Sequence, residues 1–194
     1  MKTTNTEITT QIVRGVALLR LLAFLFLLIV IGMRYVYAQS PDSVRATYRR
    51  AIGVCEATGR NDGPEVERYL ASVGLRRGAP WCAAFVSYCL QKGGYTQAPR
   101  SGWSPAYFAP LERYLYKGDA LALGDSTRVY IFGVYYPHLG RIAHVGFVEP
   151  LTRLVPRGYI LTVEGNSNDN GSREGVAVVR KLRPLRTVKA VRGW

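Results

Sequence analysis

A block of thirteen uncharged residues, 21–33 (LLAFLFLLIVIGM), constrains this chain more than any other feature. No polar face interrupts it, so it does not suit a soluble amphipathic helix, and a folded domain must come from the residues after it. Lys2, Arg14 and Arg20 precede the block; Arg34 and Tyr35-Val36-Tyr37-Ala38 come after it. As a helix, thirteen residues reach about 20 Å, short of the roughly 30 Å of a hydrocarbon core. Val36 and Ala38 suit the small-residue positions of a signal-peptidase site, with cleavage before Gln39. The competing reading starts the span at Val16, lets Arg20 snorkel and keeps residues 16–33 as a membrane anchor. Length favours cleavage. In both readings the preceding positive charges put the remainder outside the cytoplasm: in the periplasm, in the cell envelope or secreted. Residues 1–38 are thus a signal peptide or anchor, and residues 39–194 suffice for one domain.

Within that domain, helical patterns come first. Ser40-Pro41-Asp42 supplies a capping hydroxyl, a first-turn proline and an acid at the positive dipole end. Val44, Tyr48, Ala51, Ile52 and Cys55 then recur at helical spacing, and Gly59 ends the run. Asp62-Gly63-Pro64 opens a second helix with Val66, Tyr69, Leu70 and Val73 as its stripe; Gly74 closes it. A third helix, apolar on most sides, runs from about Cys82 to Leu90 and stops at Gly93-Gly94. Residues 97–125 are rich in Pro, Gly and Tyr and read as an irregular connection. Strand patterns occupy 128–136, 142–149, 159–164 and 175–182, with a fifth candidate at 187–191. Short polar links imply an antiparallel sheet. Helices first and strands later predict an α+β domain with one sheet face covered.

The chain carries 26 Lys and Arg against 13 Asp and Glu. Removing Lys2, Arg14, Arg20, Arg34 and Glu7 with the first segment leaves 22 against 12, a net charge of +10. Such a surface favours anionic wall polymers or a membrane surface, or is simply solvated. Nucleic acid is not expected, because no basic recognition helix or aromatic RNA-binding motif is present.

Of three cysteines, Cys82 stands apart. It comes after Gly78-Ala79-Pro80-Trp81 and begins the buried helix, where free N–H groups and the dipole lower a thiol pKa below about 8.5. No Ser, Thr, Asp or Asn caps this helix. His144 lies mid-strand, with Ile142, Gly146 and Val148 on the same face by alternation. Gly146 clears room beside it. His138, in Pro137-His138-Leu139-Gly140, reads as a turn residue and is the lesser candidate. Glu164 and Asn166 share a parity on the next strand. Glu164 would accept the imidazole N–H; Asn166 would bond the same ring or the substrate.

These residues carry a resemblance. Trp81-Cys82-Ala83-Ala84-Phe85-Val86, then His144-Val145-Gly146, then Glu164-Gly165-Asn166 resemble the signature of the CHAP family, the papain-like cysteine, histidine-dependent amidohydrolases and peptidases. The likeness runs from about residue 60 to the end and includes Gly171-Ser172-Arg173-Glu174-Gly175. It implies a cysteine helix packed on an antiparallel sheet and cleavage of peptidoglycan, as an N-acetylmuramoyl-L-alanine amidase or a peptide endopeptidase. It implies Cys82, His144, Glu164 and Asn166 as catalytic residues, with no cofactor and no metal. Many members have Gln shortly before the cysteine. Here Ala79, Pro80 and Trp81 stand there, so only the Cys82 N–H is assigned to the oxyanion. Trp81 and Trp103 are the candidate substrate-binding residues.

Plainer readings compete. Cys82 taken alone fits an inert buried thiol. A Cys82/His144/Cys89 zinc site lacks CxxC spacing. Cys55 and Cys89 are open to a disulfide or to free thiols. Trp103, Tyr107 and Phe108 suit a substrate groove or ordinary packing. Asn61, Asp62 and Glu65 are explained by a turn and a helix start. The alternative function is a non-catalytic wall-binding or secretion-apparatus module, to which the basic surface points.

Overall fold

The structure, a computed structural model, describes residues 5–117, 126–150, 156–168 and 175–194. It separates into two units, Met1–Gln39 and Ser40–Trp194. The first holds one helix, α1 (Asn5–Ala38). Its window Arg14–Ile31 is long and apolar enough to cross a membrane, and none of that window is buried. Eighteen helical residues rise about 27 Å. The apolar span is therefore longer than block 21–33 alone, and length no longer separates a cleaved signal from a retained anchor.

The second unit is α+β. α2 (Pro41–Arg50) starts with proline and carries Asp42 in its first turn. Ser40 is the N-cap, but its side chain makes no capping bond. Its carbonyl instead accepts the N–H groups of Ser43 and Val44. The helix ends at Arg50, well before Gly59. Gly53 takes a φ of +90°, open to glycine and hostile to helix. The chain then joins the sheet: Gly53 N–H donates to Val178, Val178 N–H to Val54, and Glu56 N–H to Val176. Cys55 is consequently exposed instead of lying on a buried stripe. α3 (Pro64–Ala71) buries Val66, Tyr69 and Leu70 as its spacing predicts. α4 (Cys82–Lys92) is buried on nearly every side and stops at Gly93.

Five strands complete the unit: β1 (Tyr130–Tyr136), β2 (Arg141–Val148), β3 (Tyr159–Ser167), β4 (Ala177–Pro184) and β5 (Ala190–Gly193). They form one antiparallel sheet in the order β4-β3-β2-β1-β5. Between α4 and β1, among the described residues, lie two 3-10 helices, Ser104–Phe108 and Leu111–Tyr114. The end of that connection, residues 118–125, and residues 171–174 lie outside the described residues.

Alternation gives the sheet two apolar faces. Ile131, Val145, Phe147 and Val163 join α2, α3 and α4 in the main core. Phe132, Val134, Val148, Ile160 and Val191 make a second cluster. Tyr48 stacks on Phe147 with ring centres 4.6 Å apart, and Phe85 meets the same ring edge-on at 6.0 Å. Burying a ring of this kind contributes about 1.5–3 kcal/mol, so Phe147 fixes α2 and α4 to one strand.

Three irregularities fall together. Val134 pairs with His144 and Tyr135 with Ile142, which leaves Ala143 as a bulge in β2. β3 shifts register against β4 between Glu164 and Ser167, and Asn166 there has a φ of +52°. β2 and β3 pair only at Phe147–Val163 and Val148–Thr162. The bulge breaks the expected face of Ile142 and His144. Ile142 turns into the main core with Val145 and Phe147, while Arg141, Ala143 and His144 line one cavity.

Candidate active site

Trp81 fixes the start of α4 in three ways. Its N–H donates to Asn166 Oδ1 at 3.0 Å, its carbonyl accepts the Phe85 N–H at 2.8 Å, and its indole N–H donates to Glu56 Oε1 at 2.8 Å. It offers no side-chain cap to the first turn. Cys82, the next residue, is therefore presented at an uncapped positive helix end.

The thiol is 6% exposed. The groups that act on it are His144, the Val145 N–H and Ser104, whose Oγ lies 3.7 Å away. Burial pushes its pKa up. The bond and charge of His144, helped by Ser104 and Val145, outweigh burial, and the net direction is down.

His144 Nε2 lies 2.8 Å from Glu164 Oε2, which leaves Nδ1 for Cys82. Glu164 is wholly buried. It accepts hydrogen bonds from Thr162 Oγ1 at 2.6 Å, Ser167 Oγ at 3.2 Å and Arg183 Nε at 2.8 Å, with Arg183 Nη2 on its second oxygen. Burial opposes ionisation of this carboxyl. The bonds and charges of His144 and Arg183 win and hold it far below the usual carboxylate range. Burial likewise works against a charged His144, yet its bonds and charge pairing with Cys82 and Glu164 raise it to about 9. The arrangement therefore favours an imidazolium between thiolate and carboxylate.

Two glycines make the approach possible. A Cβ at Gly146 would lie 3.0 Å from Glu164 Cγ and 2.9 Å from the Phe132 ring. One at Gly165 would meet Trp81 at 2.8 Å and Phe85 at 2.9 Å, so α4 packs directly on the β3 backbone. The thiol and imidazole open into a cavity of about 300 Å³, whose wall includes Trp103, Ser104, Arg141 and Asn166. That is the small end of ligand pockets.

No family model, curated protein or solved structure matches this chain. A buried thiol with lowered pKa, an imidazole beside it and a carboxylate behind that imidazole are groups able to supply a nucleophile, a base and an orienter.

The structure thus brings Cys82, His144 and Glu164 together. Asn166 has another partner set. Its amide holds the Trp81 N–H and donates to Gly175 O and Asn61 Oδ1, so it positions the cysteine segment and does not orient the imidazole. Trp81 also departs from expectation: its indole is fully buried, touching Tyr69 and Phe85, and has no face for substrate. Trp103 is half exposed at the cavity wall. His138 is exposed, edge-on to Tyr136. Cys55 and Cys89 are unpaired. Cys89 lines a different cavity from Cys82 and His144, and among the described residues no group of three His, Cys, Asp or Glu side chains is placed to hold a metal ion.

Asn61, expected as a turn residue, has a φ of +53° and also supports Asn166. Asp62 accepts from Thr58 and Arg77, and Glu65 pairs with Arg68, both away from the thiol. Sequence reasoning missed Ser104, Thr162, Ser167 and Arg183. Thr162 shares the parity of Glu164, a usable signal. Arg183 had none, because only the pairing of β3 with β4 carries it to the carboxylate.

Proposed function

We propose that Ser40–Trp194 is a papain-like cysteine hydrolase of the CHAP kind that cuts an amide bond of peptidoglycan outside the cytoplasm. It acts as an N-acetylmuramoyl-L-alanine amidase or a peptide endopeptidase. The observation that carries the reading is the meeting of Cys82 and His144 on one cavity wall, the thiol at an uncapped helix end and the imidazole hydrogen-bonded to Glu164. An apolar α1 is in keeping with export, and the net positive charge with an anionic wall or membrane surface.

Cys82 thiolate attacks the amide carbonyl carbon, and the carbonyl electrons move to oxygen. The Cys82 N–H faces the resulting oxyanion. As the C–N bond breaks, protonated His144 gives its proton to the amine. Neutral His144 then takes a proton from water, and the hydroxide displaces the thiolate from the thioester. Glu164 keeps Nε2 engaged throughout, so Nδ1 stays aimed at sulfur.

Residues 39–194 should release soluble fragments from purified sacculi, and Cys82→Ala should lower the rate by at least about 10³-fold with an unchanged circular dichroism spectrum. Retained activity in that variant, or sedimentation with sacculi without release, would overturn the hydrolase. Mass analysis of the fragments assigns the bond.

A further inference from the structure

Resting on the hydrolase reading, we infer that Arg141, held against Trp103, is a carboxylate-binding subsite of the Cys82 cavity. The substrates accordingly carry a free carboxylate beside the scissile amide. Among the described residues, Arg141 is the only Lys or Arg on the cavity wall, and no Asp or Glu lines it. The guanidinium lies over the Trp103 ring, 4.2 Å from its centre. One nitrogen, Nη1, donates to Ile142 O at 3.2 Å. Stacking and this bond fix the plane of the fork and leave its remaining N–H groups for a ligand.

Its neighbours in kind are already used. Arg49, Arg77 and Arg183 each meet a buried carboxylate, that of Glu149, Asp62 and Glu164 respectively. Among the described residues Arg141 has no acidic partner. A planar guanidinium stacked on an aromatic face and open on one edge recognises a carboxylate by two parallel hydrogen bonds.

The bulge supplies the reason it faces this way. Arg141 and His144 are three residues apart, so a regular strand sends them to opposite faces. With Ala143 unpaired, both reach the same cavity. Bulges that re-aim a side chain beside a reactive centre are a recurrent use of this irregularity.

The test separates the subsite from the hydrolase. Cys82 is alkylated with iodoacetate and with iodoacetamide, which differ by a carboxylate against a carboxamide, and the rates are read by mass spectrometry. Exposed Cys55 serves as reference in the same molecule. His144 acts on both reagents alike in every variant. Arg141→Gln should lower the iodoacetate-to-iodoacetamide ratio at Cys82 on the order of tenfold and leave the Cys55 ratio alone. Arg141→Lys should keep part of it, which reports on charge with the fold preserved. An unchanged ratio in Arg141→Gln would overturn the subsite.

Matched peptide amides, with the neighbouring carboxylate on a side chain or at the chain end and each against its carboxamide, then identify the source. Wild type should prefer one carboxylate form in kcat/KM, and Arg141→Gln should erase that preference. Cleavage of carboxylate and carboxamide alike would overturn the subsite alone. Cleavage of none, with the alkylation ratio still dependent on Arg141, would overturn the hydrolase and support the anion site.

Discussion

The first turn of α4 and the turn that carries Cys89 contain the same group, and both are buried. Cys82 and Cys89 lie on one helix, seven residues apart, and neither has a disulfide partner. Their thiols are driven in opposite directions. Cys89 meets only burial, which pushes it well above the ordinary thiol value. Cys82 is buried too, and His144, Ser104 and the Val145 N–H reverse the effect. A lowered thiol pKa here is thus made by its neighbours and by its place at the helix start. Removal from water alone makes an inert thiol.

The contrast is broken most directly by substitution. Where Cys82→Ala loses the release of wall fragments, Cys89→Ala should keep it and cost only about 1 kcal/mol in urea unfolding. Equal loss of activity in both would show that the helix as a whole, and not its first turn, matters.

The next largest effect belongs to Arg183. Its removal leaves the wholly buried Glu164 carboxylate with one charged partner in place of two. Arg183→Gln should cost about 3–5 kcal/mol in denaturant unfolding. In the folded fraction it should also slow Cys82 alkylation at pH 6. Unaltered stability would mean that Thr162 and Ser167 suffice to hold the carboxylate.

The smallest effect is in pH. Cys82 should already be alkylated rapidly at pH 6, where an ordinary thiol, with a pKa near about 8.5, reacts slowly. Because His144 is raised to about 9, kcat/KM should fall as pH rises through that value and the leaving amine loses its acid. Stability depends on pH with opposite signs for the two partners of the imidazole–carboxylate pair. A raised His144 contributes fully below its ordinary 6.5, and the contribution is lost as pH rises through about 9. A depressed Glu164 contributes above the ordinary carboxylate range and loses its contribution on acidification. A pH profile of kcat/KM flat across about 9, or slow Cys82 alkylation at pH 6, would make the first turn resemble the second.

Local pattern was enough to read α3, α4 and all five strands to within a few residues, because their apolar spacing coincides with the packing they adopt. It failed at α2. Ala51 and Ile52 continue a helical stripe in sequence, yet Gly53 and the hydrogen bonds of residues 53–56 to β4 take the chain elsewhere. Nothing local weighs a pairing with residues more than a hundred positions away.

The site divides the same way. The choice of Cys82, His144 and Glu164 was legible, since each requirement is met by a residue type at a readable place: a thiol at an uncapped helix start, an imidazole mid-strand and a carboxylate on the next strand. Trp81 was not legible, because a tryptophan before a cysteine looks the same whether it faces substrate or core.

By itself the amino-acid sequence determined the apolar leading segment, the order of helices and strands, and which thiol, imidazole and carboxylate lie together. Only the tertiary structure decided that Arg183 anchors the carboxylate, that Asn166 holds Trp81, and that Arg141 shares the cavity of His144. The reason is physical: strand alternation assigns a face to every residue until a bulge or a left-handed residue reverses it. Ala143 and Asn166 do so through cross-strand pairing that no local pattern records.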